Sequence, residues 1–543
     1  MIQTLSRRWS VGGYLTVALL LLPLAALVVQ SMDPDQAVFD HLKQTVLTDY
    51  VVNTILLIAL VALGSLLLGL PAAWLVAMCR FPGQRVFQWA MLLPLAMPAY
   101  IVAYVYTDMF DYAGPVQSTL RSLMGWQSPQ DYYFPAVRSL GGAAIMLALV
   151  LFPYVFMLAR TAFLEQASNL IQASRTLGCS PRQSFFRLSL PLARPAIAVG
   201  LSLVAMETLA DFATVHYFAV NTLTTAVYDT WLGFGSMASA ARLSTLMLLV
   251  IAVLMFAERF ARSRQERFQK AEGKSEDYGY QLTGWRAWGA FGFCATLLFF
   301  SFLLPAWVLM DYAWHYYDPS ALRQFGQYSL NSLGVSAAVA LITVLIALGL
   351  QYLARISPRR WDRLPGQIAG FGYALPGTVL AIGVMIPLIA ADFAINDLFE
   401  WLGQPLPGLV LSGSILALVF GYTVRFLAVA LGAVENSFKR ISPSLDMAAA
   451  TMGQGPAGIL RRVHLPLVRR GMLAAGLIVF IEAMKELPAA LLLKPIGFET
   501  LATYVYQFVS DEMLELGALP ALVIVLVGLV PVIFLNRSLE HAH

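Results

Sequence analysis

The sequence predicts an all-α polytopic membrane protein with about twelve transmembrane helices, arranged as two parallel six-helix repeats. Three observations carry that prediction. Of 543 residues, 59% are hydrophobic and 12% charged, with a mean hydropathy of +0.70, a balance no soluble surface tolerates. Apolar windows of about 20 residues, the length that spans a hydrocarbon core, recur along the whole chain. The second half also repeats particular residues of the first.

In lipid an unpaired backbone group costs several kcal/mol, so such windows must be helices. The first follows Arg7 and Arg8 and runs from Gly13 to Val29. It opens like a signal peptide, but it is long, lacks an A-x-A cleavage signal and precedes many similar runs, so a retained first helix is expected. The first half, 1–257, offers spans at 13–30, 51–78, 87–110, 140–162, 191–215 and 236–257. A polar stretch, 258–285, carries Arg259, Arg262, Arg264, Arg267, Lys270 and Lys274 and reads as a solvated linker. The second half, 286–543, offers spans at 287–310, 329–353, 367–391, 409–433, 471–494 and 517–536.

The repeat is visible residue by residue. At one offset Asn53 pairs with Asn331 and Pro98 with Pro376. At a second, slightly shorter offset Gly178 pairs with Gly453, Pro181 with Pro456, Leu190 with Leu465, Pro191 with Pro466 and Glu207 with Glu482. The string from Thr222 to Tyr228 lines up with Thr500 to Tyr506. Two parallel copies imply a pseudo-twofold axis along the membrane normal, with a pore between them as the natural geometry.

Basic residues cluster at the N-terminus, at Arg80 and Arg85, after spans four and ten, in the linker and around Arg355 to Arg363. The remaining loops carry Asp33, Asp49, Asp131, Asp318, Asp397, Asp511 and Glu512. The basic side is expected to be cytoplasmic, with both termini inside. The net charge of +4 is small and nothing points to nucleic acid. Cys79, Cys179 and Cys294 are scattered and odd in number, so they build neither a disulfide framework nor a CxxC metal site. Gly273-Lys274-Ser275 imitates the end of a phosphate-binding loop, but Phe268 stands where the motif needs glycine. Neither H-E-x-x-H, G-x-S-x-G nor a metal-spaced Cys/His set occurs, so a membrane-embedded enzyme is disfavoured and no cofactor is expected.

The loops after spans four and ten carry the functional argument. The first contains Ala173, Ser174, Leu177, Gly178 and Pro181 and ends in Leu190-Pro191; the second contains Ala448, Ala449, Gly453 and Pro456 and ends in Leu465-Pro466. Small residues leave a helix face that another protein can approach closely. Gly178 and Gly453 suit a helix C-terminus with left-handed backbone. Ser180, Pro181 and Gln183 read as N-cap, first-turn proline and capping-box partner. The plainer alternative is an amphipathic loop held against lipid by its arginines. His464, inside the second loop, is expected at an interface.

Each loop resembles the EAA motif of ABC importer permeases, in which a small-residue helix, a glycine and a second short helix ending in Leu-Pro dock into an ATPase subunit. The motif's acidic position is Gln172 in the first copy and Met447 in the second, with Asp446 one place early. Glu207-Thr208-Leu209-Ala210-Asp211-Phe212 and Met484-Lys485-Glu486-Leu487-Pro488 look like segments of fused ferric-iron permeases. The resemblance implies a type I ABC importer transmembrane fold in the bacterial inner membrane, without an ATP site of its own. Its implied partners are a cytoplasmic ABC ATPase dimer, a periplasmic or extracellular iron-binding protein and membrane lipid.

Glu207, Asp211, Glu482 and Glu486 are candidates for the translocation path, because ferric ion prefers hard oxygen ligands and ionisable groups in spans are costly. The alternative is that Lys485 pairs with Glu482 or Glu486 and neutralises a helix end. A tight metal site is not expected. Rival readings are a permease for another substrate such as thiamine, or an ion-coupled secondary transporter of similar layout.

Overall fold

The computed structural model describes residues 2–34, 37–164, 166, 174, 176–268, 280–357, 360–370, 372 and 375–540. Gln172, Ala173 and Arg175 of the first loop, and linker residues 269–279 with Lys270 and Lys274, lie outside the described residues. The described chain is helical almost throughout, with one short parallel pairing of Cys79–Arg80 with Tyr280–Gln281.

Among the described residues nine helices are long and apolar enough to cross a membrane, or ten if a bent pair counts as one span. About twelve are expected from the sequence, and the difference lies in the third, eleventh and twelfth spans. In the third, Gln84–Ala96 and Ala99–Met124 meet at 89°. Pro98 is the N-cap of the second piece, with φ −58° and ψ 135°; proline cannot continue the incoming helix, but its fixed φ starts a new one. Its repeat partner Pro376 adopts φ −55° and ψ 142° ahead of Gly377–Trp401. The ninth span therefore begins at Gly377, later than the expected 367. The eleventh, Leu465–Lys485, holds Arg469, Arg470, Glu482 and Lys485 and is too charged to pass as an apolar span. The apolar stretch of the twelfth is short, at Ala518–Val530. The fifth span ends at Ala210, not at 215.

The chain packs into two compact units, each assembled from separated stretches. One contains Met1–Leu42, Val227–Leu248 and Pro319–Tyr504. Within it the opening helix Ile2–Gln30 lies against Gly377–Trp401. A Cβ at Gly383 would sit 2.7 Å from the Pro23 carbonyl oxygen, so glycine permits that approach. The other unit contains Lys43–Ala226, Leu249–Asp318 and Val505–His543. There Leu47–Met78, Leu140–Leu164 and Leu190–Ala210 pack together, and a Cβ at Gly69 would meet the Phe152 carbonyl oxygen at 2.7 Å. Where lipid removes the hydrophobic drive between helices, close contact of this kind supplies the attraction. In the same unit Tyr106 donates its hydroxyl hydrogen to the Phe300 carbonyl, and Leu304–His315 packs on Ala518–Glu540. The opening helix of each repeat is thus packed in the unit that holds the core of the other repeat.

The repeat recurs in individual hydrogen bonds. Asn53 Nδ2 donates to the Asn221 carbonyl and Asn331 Nδ2 to the Glu499 carbonyl, each at 3.0 Å across 168 residues. Thr54 Oγ1 accepts from the Leu223 amide at 2.9 Å, and Ser332 Oγ accepts from the Leu501 amide at 2.6 Å. The Thr-Leu-x-Thr strings are helix starts: the Thr222 amide donates to Thr225 Oγ1, and the Thr500 amide to Thr503 Oγ1, both at 2.9 Å.

Candidate functional site

The two loops share one backbone design. In the second, Ser442 accepts from the Ser444 amide and caps Pro443–Thr451. The helix ends in a left-handed glycine, Gly453, with φ +77°. The Gln454 amide then reaches back to the Ala449 carbonyl at 3.0 Å, the six-to-one bond of a Schellman turn. In the first loop Gly178 has φ +76°, and the Cys179 amide reaches back to the Ser174 carbonyl at 2.9 Å. Ser180 and Gln183 form the expected reciprocal cap, at 2.9 and 3.3 Å.

Past the glycine the structure departs from the expected pair of separate short helices. The chain re-enters helix at Pro181–Ser184 and Pro456–Ile459, passes a π turn at Phe185–Ser189 and Leu460–His464, and runs directly into Leu190–Ala210 and Leu465–Lys485. Pro191 and Pro466 lie in the first turn of those helices. Each lacks an N–H, and the wider π turn carries the chain past the missing bond without breaking the helix. Each loop therefore leads without a break in the helix into the next span.

The small residues divide between an inward and an outward face. Ser174 and Ala449 are buried against their own chain, with Ser174 Oγ 3.1 Å from Ser184 Oγ. Ala448 is exposed, Pro456 is buried, Leu190 and Pro191 are half-buried, and Leu465 and Pro466 are exposed. The outward faces mix apolar and basic side chains: Leu177 is 81% exposed, Met452 79%, and Met447 and Phe186 64% each, beside exposed Arg182, Arg187, Arg461 and Arg462. Exposed apolar side chains of this kind suit either a protein partner or lipid. His464, expected at an interface, is wholly buried.

The four candidate carboxylates sit at matched helix ends. Asp211 follows Leu190–Ala210 and turns its side chain onto the next short helix, Ala213–Tyr217. It accepts from the Thr214 amide at 3.1 Å, Thr214 Oγ1 at 2.9 Å and the Val215 amide at 3.2 Å. Glu207 lies one turn earlier on the same helix and is half-buried. In the other unit Glu486 follows Leu465–Lys485 and accepts from the Ala489 amide at 3.2 Å, at the start of Pro488–Leu493. Both carboxylates thus bridge a break where two backbone segments leave amides unpaired. Lys485 does pair with Glu482, at 3.1 Å. Glu486 is held by another partner: Arg425 Nε lies 3.0 Å from Oε2, with the two side chains 12% and 7% exposed.

Arg425 and Tyr422 were not among the residues the sequence pointed to. Arg425 Nη1 donates to the Leu375 carbonyl at 2.6 Å, and the Tyr422 hydroxyl donates to the Glu486 carbonyl at 2.9 Å. An arginine inside the apolar window 409–433 was the available signal, since a cation in a span requires a counter-charge. Gly377 closes the same corner, because a Cβ there would stand 2.6 Å from Glu486 Oε1 and 2.8 Å from the Ala489 nitrogen. Gly377→Ala is expected to destabilise by about 1–3 kcal/mol through overpacking. A lowered unfolding midpoint of the detergent-purified protein is the check, with Gly432→Ala, where a Cβ meets nothing within 4 Å, as control.

Residues 65–266 match the family described as binding-protein-dependent transport system inner membrane component. The chain is 27% identical to the Fe(3+)-transport system permease protein FbpB 2 of Haemophilus influenzae over 89% of both chains. It is 23% identical to the ferric transport system permease protein FbpB of Actinobacillus pleuropneumoniae, covering 93% of this chain and 74% of that one. It is 30% identical to the molybdenum transport system permease protein ModB of Escherichia coli, covering 38% of this chain and 91% of ModB. The matched segment takes in the first loop and the Asp211 break, and the helices around it are those of a polytopic membrane protein. This chain belongs to the family of inner-membrane components of binding-protein-dependent transport systems.

Proposed function

We propose that the chain is the channel-forming permease of an ATP-binding cassette importer and carries ferric iron from the periplasm to the cytoplasm. The observation that carries this reading is the similarity to an Fe(3+) permease over 89% of both chains. The molybdenum and sulfate permeases match only 38% and 37% of it.

In this reading 1–257 and 286–543 are the two permease halves, joined by the linker 258–285, with both termini cytoplasmic as the basic loops suggest. A separate ABC ATPase dimer engages the loops around Gly178 and Gly453, and an iron-binding protein delivers substrate outside. The exposed apolar side chains of the loops and the helix that continues from each loop into the next span support the coupling role. Of the path candidates, Asp211 is the one whose charge can be tested cleanly. Glu486 already has a cation, and its neutralisation would strand Arg425. Asparagine caps a helix as well as aspartate does, so Asp211→Asn removes charge while keeping the turn.

Uptake of radioactive ferric iron by cells with and without this chain tests the function. Iron uptake is expected to depend on it while molybdate and sulfate uptake do not; the reverse pattern overturns the substrate. Asp211→Asn is expected to slow iron uptake about tenfold at equal protein level, the size of a lost charge contact in a constriction of low dielectric. Unchanged uptake would make Asp211 a cap and nothing more.

A further inference from the structure

We propose that Asp446 is a positioning residue that fastens the second coupling loop to the transmembrane helices through Arg355 and His464, so that displacement of the loop is passed on to three spans together. The proposal rests on reading that loop as the ATPase contact.

In the EAA motif the acidic position corresponds to Met447, which is 64% exposed here. Moving the acid one residue earlier turns it by about 100° around the helix axis. The Asp446 side chain accordingly faces inward and is 28% exposed. Its Oδ2 accepts from Arg355 Nε at 2.7 Å, and its Oδ1 lies 2.6 Å from His464 Nε2. A carboxylate only accepts, so Nε2 is the nitrogen that carries the hydrogen.

Arg355 stands in the last turn of Leu322–Ile356. Its remaining fork reaches the far end of Ile415–Lys439, donating to the Phe438 and Ile441 carbonyls at 2.9 Å each. His464 belongs to the π turn that leads into Leu465–Lys485. Its ring is packed edge-on to Tyr352 and Phe438, at 5.5 and 5.4 Å between centroids. Tyr352 adds a hydrogen bond to the Pro456 carbonyl, just past the loop glycine. One carboxylate on the loop helix is therefore tied to the ends of the helices before it, beside it and after it. A planar guanidinium that donates to a carboxylate and two carbonyls at once makes such a joint stiff, because few other arrangements satisfy all three acceptors.

The sequence of the first loop lacks the residues of this joint. At the repeat offsets Arg355 corresponds to Ala77 and His464 to Ser189. Loss of the Asp446 charge should consequently impair the coupling made by one loop and not the attachment made by both.

The test uses the assembled transporter, with its ATPase and binding protein, and ferric iron as the probe. Asp446→Asn is expected to retain ATPase on co-purification and to hydrolyse ATP within about twofold of normal, while iron imported per ATP falls about tenfold. Asp446→Glu, which keeps the charge, is expected to restore most of that ratio. Arg355→Lys, which keeps the charge but loses the fork, is expected to lower it too, and takes the place of Asp446→Asn should that variant fail to reach the membrane. An unchanged ratio, with assembly, hydrolysis and uptake falling in step, overturns the proposal, because a merely structural residue would do that. Selective loss of ATPase binding also overturns it, by placing the carboxylate on the partner. Failure of the underlying reading shows differently: the unaltered chain would transport without any ATPase attached.

Discussion

Arg425→Met is expected to destabilise the folded protein by about 3–5 kcal/mol, the cost of leaving a buried charge without its partner. Glu486 is 7% exposed and Arg425 12%, so water cannot take over the role of the lost guanidinium. The same substitution strips the Leu375 carbonyl of its 2.6 Å hydrogen bond, immediately before the Pro376 break where the backbone has no helical partner to offer. The yield of monodisperse protein and its unfolding midpoint should both fall sharply. Adding Glu486→Gln is expected to recover most of the loss. Glutamine still accepts from the Ala489 amide through its carbonyl oxygen, and replacing both members of a buried pair by neutral groups is often close to neutral. A double variant as unstable as the single would show that the arginine's packing, and not its charge, holds this corner.

The double substitution Gly178→Val with Gly453→Val is expected to abolish uptake while the protein still inserts. Both glycines have φ near +77°, where a β-branched residue costs roughly 1–2 kcal/mol or more. A Cβ at either position meets nothing within 4 Å. The penalty is therefore backbone strain at the turn, together with a side chain added to the outward face, and not a clash inside the protein. Relief of the strain would undo the Schellman bonds from Cys179 to Ser174 and from Gln454 to Ala449, and with them the angle of each loop helix. Either single change is expected to weaken ATPase co-purification or coupling; the double should remove both. Asparagine tolerates left-handed backbone, so Gly178→Asn with Gly453→Asn should keep much of the activity. Normal ATPase binding and transport by the valine double variant would defeat the coupling role and reopen the case for a secondary transporter.

Much of this architecture was legible because it depends on local chemistry. The glycine turns and the Ser180 cap each follow from what one residue type does to its own backbone, and each appears where the sequence places it; the Thr-Leu-x-Thr strings were visible as a repeat, and the structure shows them to be helix starts. Asn53 and Asn331 were visible as a repeat pair, although their bonds to Asn221 and Glu499 were not, since those close 168-residue gaps. Local reading failed where proline had two permitted outcomes. Pro98 breaks the third span and Pro376 stands ahead of the ninth as its N-cap, whereas Pro191 and Pro466 are absorbed beside a π turn. Which outcome occurs depends on the packing that repairs the freed backbone groups.

By itself the amino-acid sequence determined the class, the repeat and the two loops, because hydropathy, periodicity and glycine stereochemistry act within a few residues of chain. Tertiary structure alone decided which charges find each other: Glu486 goes to Arg425 and Asp446 goes to Arg355 and His464. It also decided that the opening helix packs against Gly377–Trp401 in the unit built around the other repeat. Lipid makes every apolar helix face equally acceptable to its surroundings, so the choice among neighbours falls to close contacts such as Gly383 on Pro23 and to buried charges that tolerate only one partner.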